Sequence, residues 1–174
     1  MKVTGFVGQA CTKPAHERRK TRRSPRMGAL YGYHLRMAEE KIVSGLRGSA
    51  SITVGEEHTA PSIGSGKVRV LATPVMINLI EAAALDAVEH LLPAGYQSLG
   101  THLDVRHIAA TPVGMRVTAT AEVVRVEGRT VDFRVEARDE RELIGDGTHQ
   151  RVVVNVSKFD QRVQRKLQNS GSGS

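Results

Sequence analysis

LATPVMINLIEAAALDAVEHLLPAG, residues 71–95, is the stretch that decides how this chain of 174 residues folds. Thr73-Pro74 reads as a helix start, with Thr in the capping position and Pro at the first helical one, where its missing N–H costs nothing. The apolar period then runs to about Leu92, and Pro93-Ala94-Gly95 stops it. At about 100° per residue, Ile77, Ala84, Leu85, Val88 and Leu92 fall within about 60° of Glu81. Asp86 and His90 lie opposite, and Glu89 is at the margin. Glu81 is therefore expected in the middle of the buried stripe. An unpartnered buried carboxylate is costly, so the position needs a reason.

Outward from the helix, the chain reads as a short strand before it and four strands after it. Ser51–Val54 is the first strand candidate, and residues 60–66 are a Pro/Gly/Ser loop. Ser98–Ala109, Met115–Val126, Thr130–Arg138 and Glu142–Val156 are rich in Val and Thr and are joined by short turn-like links. Short links make antiparallel neighbours. One long helix against one antiparallel sheet is an α+β domain.

A second polar residue then stands out. With period 2, Leu99, Thr101, Leu103, Val105 and His107 share one face of their strand, while Ser98, Gly100, His102, Asp104 and Arg106 share the other. The first face is the apolar one and is expected to meet the helix, which puts His107 at its inner end. The bland readings are a Glu81 satisfied at a subunit interface or by backbone, a core histidine, and a Thr73 that only caps. The catalytic reading takes all three together.

Composition bounds the alternatives. The net charge of +7 belongs to one end: residues 1–36 carry nine Lys or Arg against the single acid Glu17, and the remainder has 16 basic and 17 acidic residues. This extension is expected to be disordered, since it cannot bury enough apolar surface to offset its ordering entropy. It is read as sequence ahead of a start at Met27 or Met37, as a basic arm for an acidic surface such as nucleic acid, or as a targeting peptide. The folded domain is expected over 37–166, with a flexible Gly/Ser tail over 167–174. The apolar run 68–92 carries too many polar residues to span a membrane. The lone Cys11 excludes an internal disulfide framework and says nothing against a reducing cytoplasm. Residues 63–67 lack the spacing of a phosphate loop, no nucleophile elbow occurs, and the histidines have no metal-ligand spacing. With three Phe, three Tyr and no Trp, stacking platforms for single-stranded nucleic acid are not expected.

Leu71-Ala72-Thr73-Pro74-Val75-Met76 through Glu81, then Ser98-Leu99-Gly100-Thr101, then 107–114 (HIAATPVG), 126–129 (VEGR) and 144–149 (IGDGTH) resemble the fluoroacetyl-CoA thioesterase group of hot-dog proteins. The likeness covers about 49–166. It implies a hot-dog fold, a long helix wrapped by an antiparallel sheet, working as a homodimer or a larger tetramer. It also implies a catalytic trio of Thr73, Glu81 and His107, with Gly100, Pro74 and Thr101 lining the substrate. The implied activity is hydrolysis of an acyl-CoA in the cytoplasm, with no cofactor beyond the CoA of the substrate and no metal. A non-catalytic acyl-CoA-binding protein is the alternative. The group's fluoroacetyl-specific enzyme carries phenylalanines just before its Thr; residues 63–70 here have none, and Pro74 replaces a small residue. These departures shift the expected substrate to a general short- to medium-chain acyl-CoA. Lys67 and Arg69 are read as solvated charges, with the CoA phosphates as the competing reading.

Overall fold

Alternation of apolar and polar residues builds a single five-stranded antiparallel sheet in a computed structural model that describes residues 41–169. The strands are β1 (Arg47–Thr53), β2 (Tyr96–His107), β3 (Arg116–Glu127), β4 (Thr130–Asp139) and β5 (Leu143–Asn155), in the spatial order β1-β3-β4-β5-β2. Among the described residues three α-helices accompany them: the single turn α1 (Ala60–Ile63), the long α2 (Thr73–Val88) and the C-terminal α3 (Val156–Asn169). The sheet curls around α2, which touches β1, β2, β3 and β4. This is the hot-dog arrangement.

The core follows from the period-2 rows of β3 and β4. Val117, Ala119, Ala121 and Val123 on one strand and Val131, Phe133, Val135 and Ala137 on the next are buried against Met76, Ile80, Ala83 and Ala87 of α2. Small residues let helix and sheet approach closely. At Gly48 of β1 an added Cβ would overlap the Ala83 carbonyl oxygen and the Ala87 amide nitrogen, so only glycine permits this contact. On the exposed side of α2, Asp86 accepts a hydrogen bond from the Ser49 N–H at 3.0 Å, occupying a donor of edge strand β1.

Four expectations are corrected. Strand β1 begins at Arg47, four residues before Ser51, and residues 60–63 form a turn of helix in the segment read as loop. Residues 156–169 form a helix, so order extends beyond residue 166 and the expected tail is helical as far as Asn169. The basic extension over 1–36 and the Gly/Ser run 170–174 lie outside the described residues. Third, α2 buries Met76, Leu79, Ile80, Ala83, Ala84, Ala87 and Val88, which puts Glu81 about a third of a turn from the centre of the buried face. Its side chain is 36 % exposed. The helix is apolar over most of its circumference, so periodicity alone could not choose the face.

Fourth, β2 changes face part-way. Its pairing with β5 slips between Gly100 and His102, leaving Thr101 as the extra residue of a β-bulge. Before the bulge Tyr96 and Ser98 are buried and Gly100 backs onto Glu81; after it Leu103, Val105 and His107 are half-buried. Strict alternation had put Ser98 and Gly100 outside and Leu99 and Thr101 inside. The bulge turns that pattern over.

Candidate active site

Two polar clusters stand along α2. The first is at its start. Ala72 occupies the capping position without a side-chain bond, and Thr73 is the first helical residue rather than the cap. Its hydroxyl is therefore free of capping duty and lies 2.9 Å from His107 Nδ1 at the end of β2. The other ring nitrogen, Nε2, is buried and has no hydrogen-bond partner among the described residues. Burial holds the His107 pKa below the usual histidine value, with a backbone hydrogen bond to Ala109 working the other way. The pair borders a cavity of about 320 Å³ whose other walls include Ala60, Ser65, Val70 and Ala110. Apart from His107, no residue lining it is ionisable.

The second cluster surrounds Glu81, two turns further along. One carboxylate oxygen is 3.9 Å from His149 Nε2 and 4.0 Å from Arg151 Nη1. A Cβ at Gly100 would overlap that same oxygen, so the glycine is the floor on which the carboxylate rests. His149 and Arg151 project inward from β5, with side chains 0 % and 5 % exposed. His149 Nδ1 faces the His102 carbonyl at 2.9 Å and so must donate to it. In the neutral ring Nε2 then carries the lone pair, and Arg151 Nη1 donates to it at 3.3 Å. Burial, the largest influence, lowers the His149 pKa, which keeps the ring neutral.

Of the residues expected at the site, Thr73 and His107 meet within one chain. Gly100 meets Glu81. Eight residues at 1.5 Å rise separate Glu81 from Thr73 by about 12 Å along the helix. The histidine beside Glu81 is His149, not His107. Pro74 is the exposed second residue of α2, one step from Thr73. Thr101 is exposed on the bulge, its hydroxyl donating to Gln150 at 3.2 Å. Arg69 is engaged by Glu56 in an ion pair, and Lys67 is exposed. Among the described residues no cluster could hold a metal ion, and no helix is long and apolar enough to cross a membrane.

Sequence reasoning missed His149 and Arg151. The signal was present: residues 145, 147, 149, 151 and 153 share the inner face of β5, and two of them are polar.

A family model for fluoroacetyl-CoA-specific thioesterase matches residues 54–157. The fluoroacetyl-CoA thioesterase of Streptantibioticus cattleyicolor is 46 % identical over 97 residues, covering 56 % of this chain and 70 % of that protein. The solved structure of the fluoroacetyl-CoA thioesterase FlK superposes with a TM-score of 0.68 at 37 % identity, over 72 % of this chain and 97 % of that one. A thioesterase-superfamily protein of Thermus thermophilus gives a TM-score of 0.71 at 29 % identity, over 76 % and 98 %.

Proposed function

The chain belongs to the fluoroacetyl-CoA-specific thioesterase family, and from that premise we propose that it hydrolyses short- to medium-chain acyl-CoA thioesters in a site shared between two subunits. The observation that carries this reading is the separation of Glu81 from Thr73–His107 along one ridge of α2. Thr73, Ile77, Glu81 and Leu85 recur every fourth residue, and all are exposed or half-buried. A twofold axis near Ile77, midway between Thr73 and Glu81, sets each Glu81 against the partner's Thr73–His107 pair. Strand β2 supports the same assembly: it is 12 residues long and stands at the sheet edge, where a second copy can pair with it.

In this composite site Glu81 attacks the thioester carbonyl or takes a proton from the attacking water. Backbone N–H groups at the Gly100–Thr101 bulge stabilise the oxyanion. Thr73 is exposed, and its hydroxyl, held 2.9 Å from His107 Nδ1, hydrogen-bonds the departing sulfur as the C–S bond breaks. Water supplies the hydroxyl of the acid and, finally, the proton of the thiol. The apolar walls of the cavity at Thr73–His107 suit an uncharged acyl group, and CoA enters as part of the substrate, so no separate cofactor is invoked. A cytoplasmic setting, where acyl-CoA is at hand, fits this chemistry.

Release of free CoA, followed with a thiol reagent across acyl-CoAs of increasing chain length, tests the proposal. Turnover confined to one chain-length class is expected. Tight acyl-CoA binding without thiol release would replace hydrolysis with a binding role.

A further inference from the structure

Arg151 is a buried cation whose nearest bonds are not to Glu81. Its Nε donates to Ser98 Oγ at 2.9 Å and its Nη2 to the Ser98 carbonyl at 2.8 Å. Ser98 is held in turn by Glu89, in the turn that follows α2. The Ser98 hydroxyl donates to Glu89 Oε2 at 2.7 Å and its N–H to the same carboxylate at 3.2 Å. A guanidinium facing a carboxylate ordinarily closes to a bidentate pair with N···O near 2.8 Å. Here Nη1 stops 4.0 Å from Glu81.

We propose that Glu89 and Ser98 are positioning residues that hold the Arg151 guanidinium back from Glu81, so that the carboxylate is oriented by a nearby cation yet keeps its lone pairs for the reaction. The inference rests on Glu81 acting in thioester hydrolysis. Charge supports it: burial is the largest influence on Arg151 and lowers its pKa, while Glu81 and Glu89 both raise it, so the cation is shared between two carboxylates. Geometry supports it too. Three of the five guanidinium N–H groups are committed to Ser98 and His149, and the Ser98 contacts fix the plane of the fork. A carboxylate locked in a direct bidentate pair would be a poorer base and nucleophile, because its oxygens would be engaged.

The test uses Glu89→Gln, which is isosteric and half-buried in the wild type, beside Ser98→Ala and Ser98→Thr. For Glu89→Gln and Ser98→Ala, kcat is expected to fall about tenfold with KM within about a factor of two, because the loss is one of alignment rather than binding. Ser98→Thr, which restores a hydroxyl, is expected to recover most of the rate. In an Arg151→Met background, Ser98→Ala should add nothing to the loss in kcat. A lowered Tm with kcat at the wild-type level in both Glu89→Gln and Ser98→Ala would overturn the inference and leave a purely structural network. A raised KM at unchanged kcat would also overturn it. Those outcomes leave hydrolysis standing, whereas a wild type that releases no CoA from any acyl-CoA removes hydrolysis and the brace together.

Discussion

Glu81→Gln is expected to lower kcat for CoA release by about three orders of magnitude or more, roughly 4 kcal/mol of transition-state stabilisation, while leaving the fold intact. The side chain is 36 % exposed and lies off the buried face of α2, so the isosteric amide creates no cavity. Arg151 loses one neighbouring charge but keeps the hydrogen bonds to Ser98 and the charge of Glu89 behind it. Stability should therefore change little, and circular dichroism melting checks this separately from the rate. The amide can neither attack a carbonyl usefully nor accept a proton from water. A variant turning over near the wild-type rate would move the chemistry away from Glu81.

Gly100→Ala is expected to be nearly as damaging for a different reason. The backbone at Gly100 is not among the positive-φ positions of the chain, so alanine is tolerated conformationally. The added methyl instead takes the space of a Glu81 carboxylate oxygen and comes within 3.1 Å of His149 Cε1. The buried imidazole cannot retreat, but the end of the Glu81 side chain can. The fold is kept and the carboxylate is displaced by an ångström or more, which costs about 100-fold in kcat. Steady-state kinetics with melting on the same sample separates this from unfolding. A wild-type kcat would show that the position of the carboxylate against β2 does not matter.

These two expectations depend on features of unequal legibility in the sequence. The long helix was readable because Thr73-Pro74 and Pro93-Ala94-Gly95 bracket an apolar run, and the strands because Val and Thr recur between short turns. Glu81 and His107 were readable as polar residues in apolar rows, whereas Thr73 read as a helix cap and joined them through the family resemblance. Their arrangement was not. The bulge at Thr101 inserts one residue and inverts the faces on either side, a slip that alternation cannot reveal because both rows contain polar and apolar residues. The burial of α2 was misjudged because nearly every face of it is apolar. One face meets the sheet, and the ridge through Ile77 and Leu85 stays half-buried. Helix α3 was missed although its four apolar positions, Val156, Phe159, Val163 and Leu167, recur at helical spacing, because the segment follows directly on a Val-rich strand. His149 and Arg151 share a face of β5 with Gly145, Gly147 and Val153, so the period-2 pattern marks both, but nothing in it pairs them with Glu81.

Subunit complementation tests the shared site most directly. Glu81→Gln and His107→Ala chains, each inactive alone, are unfolded together, refolded as a mixture and assayed for CoA release. If Glu81 of one subunit works with Thr73–His107 of the other, each mixed dimer contains one site with both wild-type groups, and the mixture regains about one quarter of the wild-type rate. If all the groups of a site came from a single chain, every site would carry a defect and no activity would return, which would contradict the account.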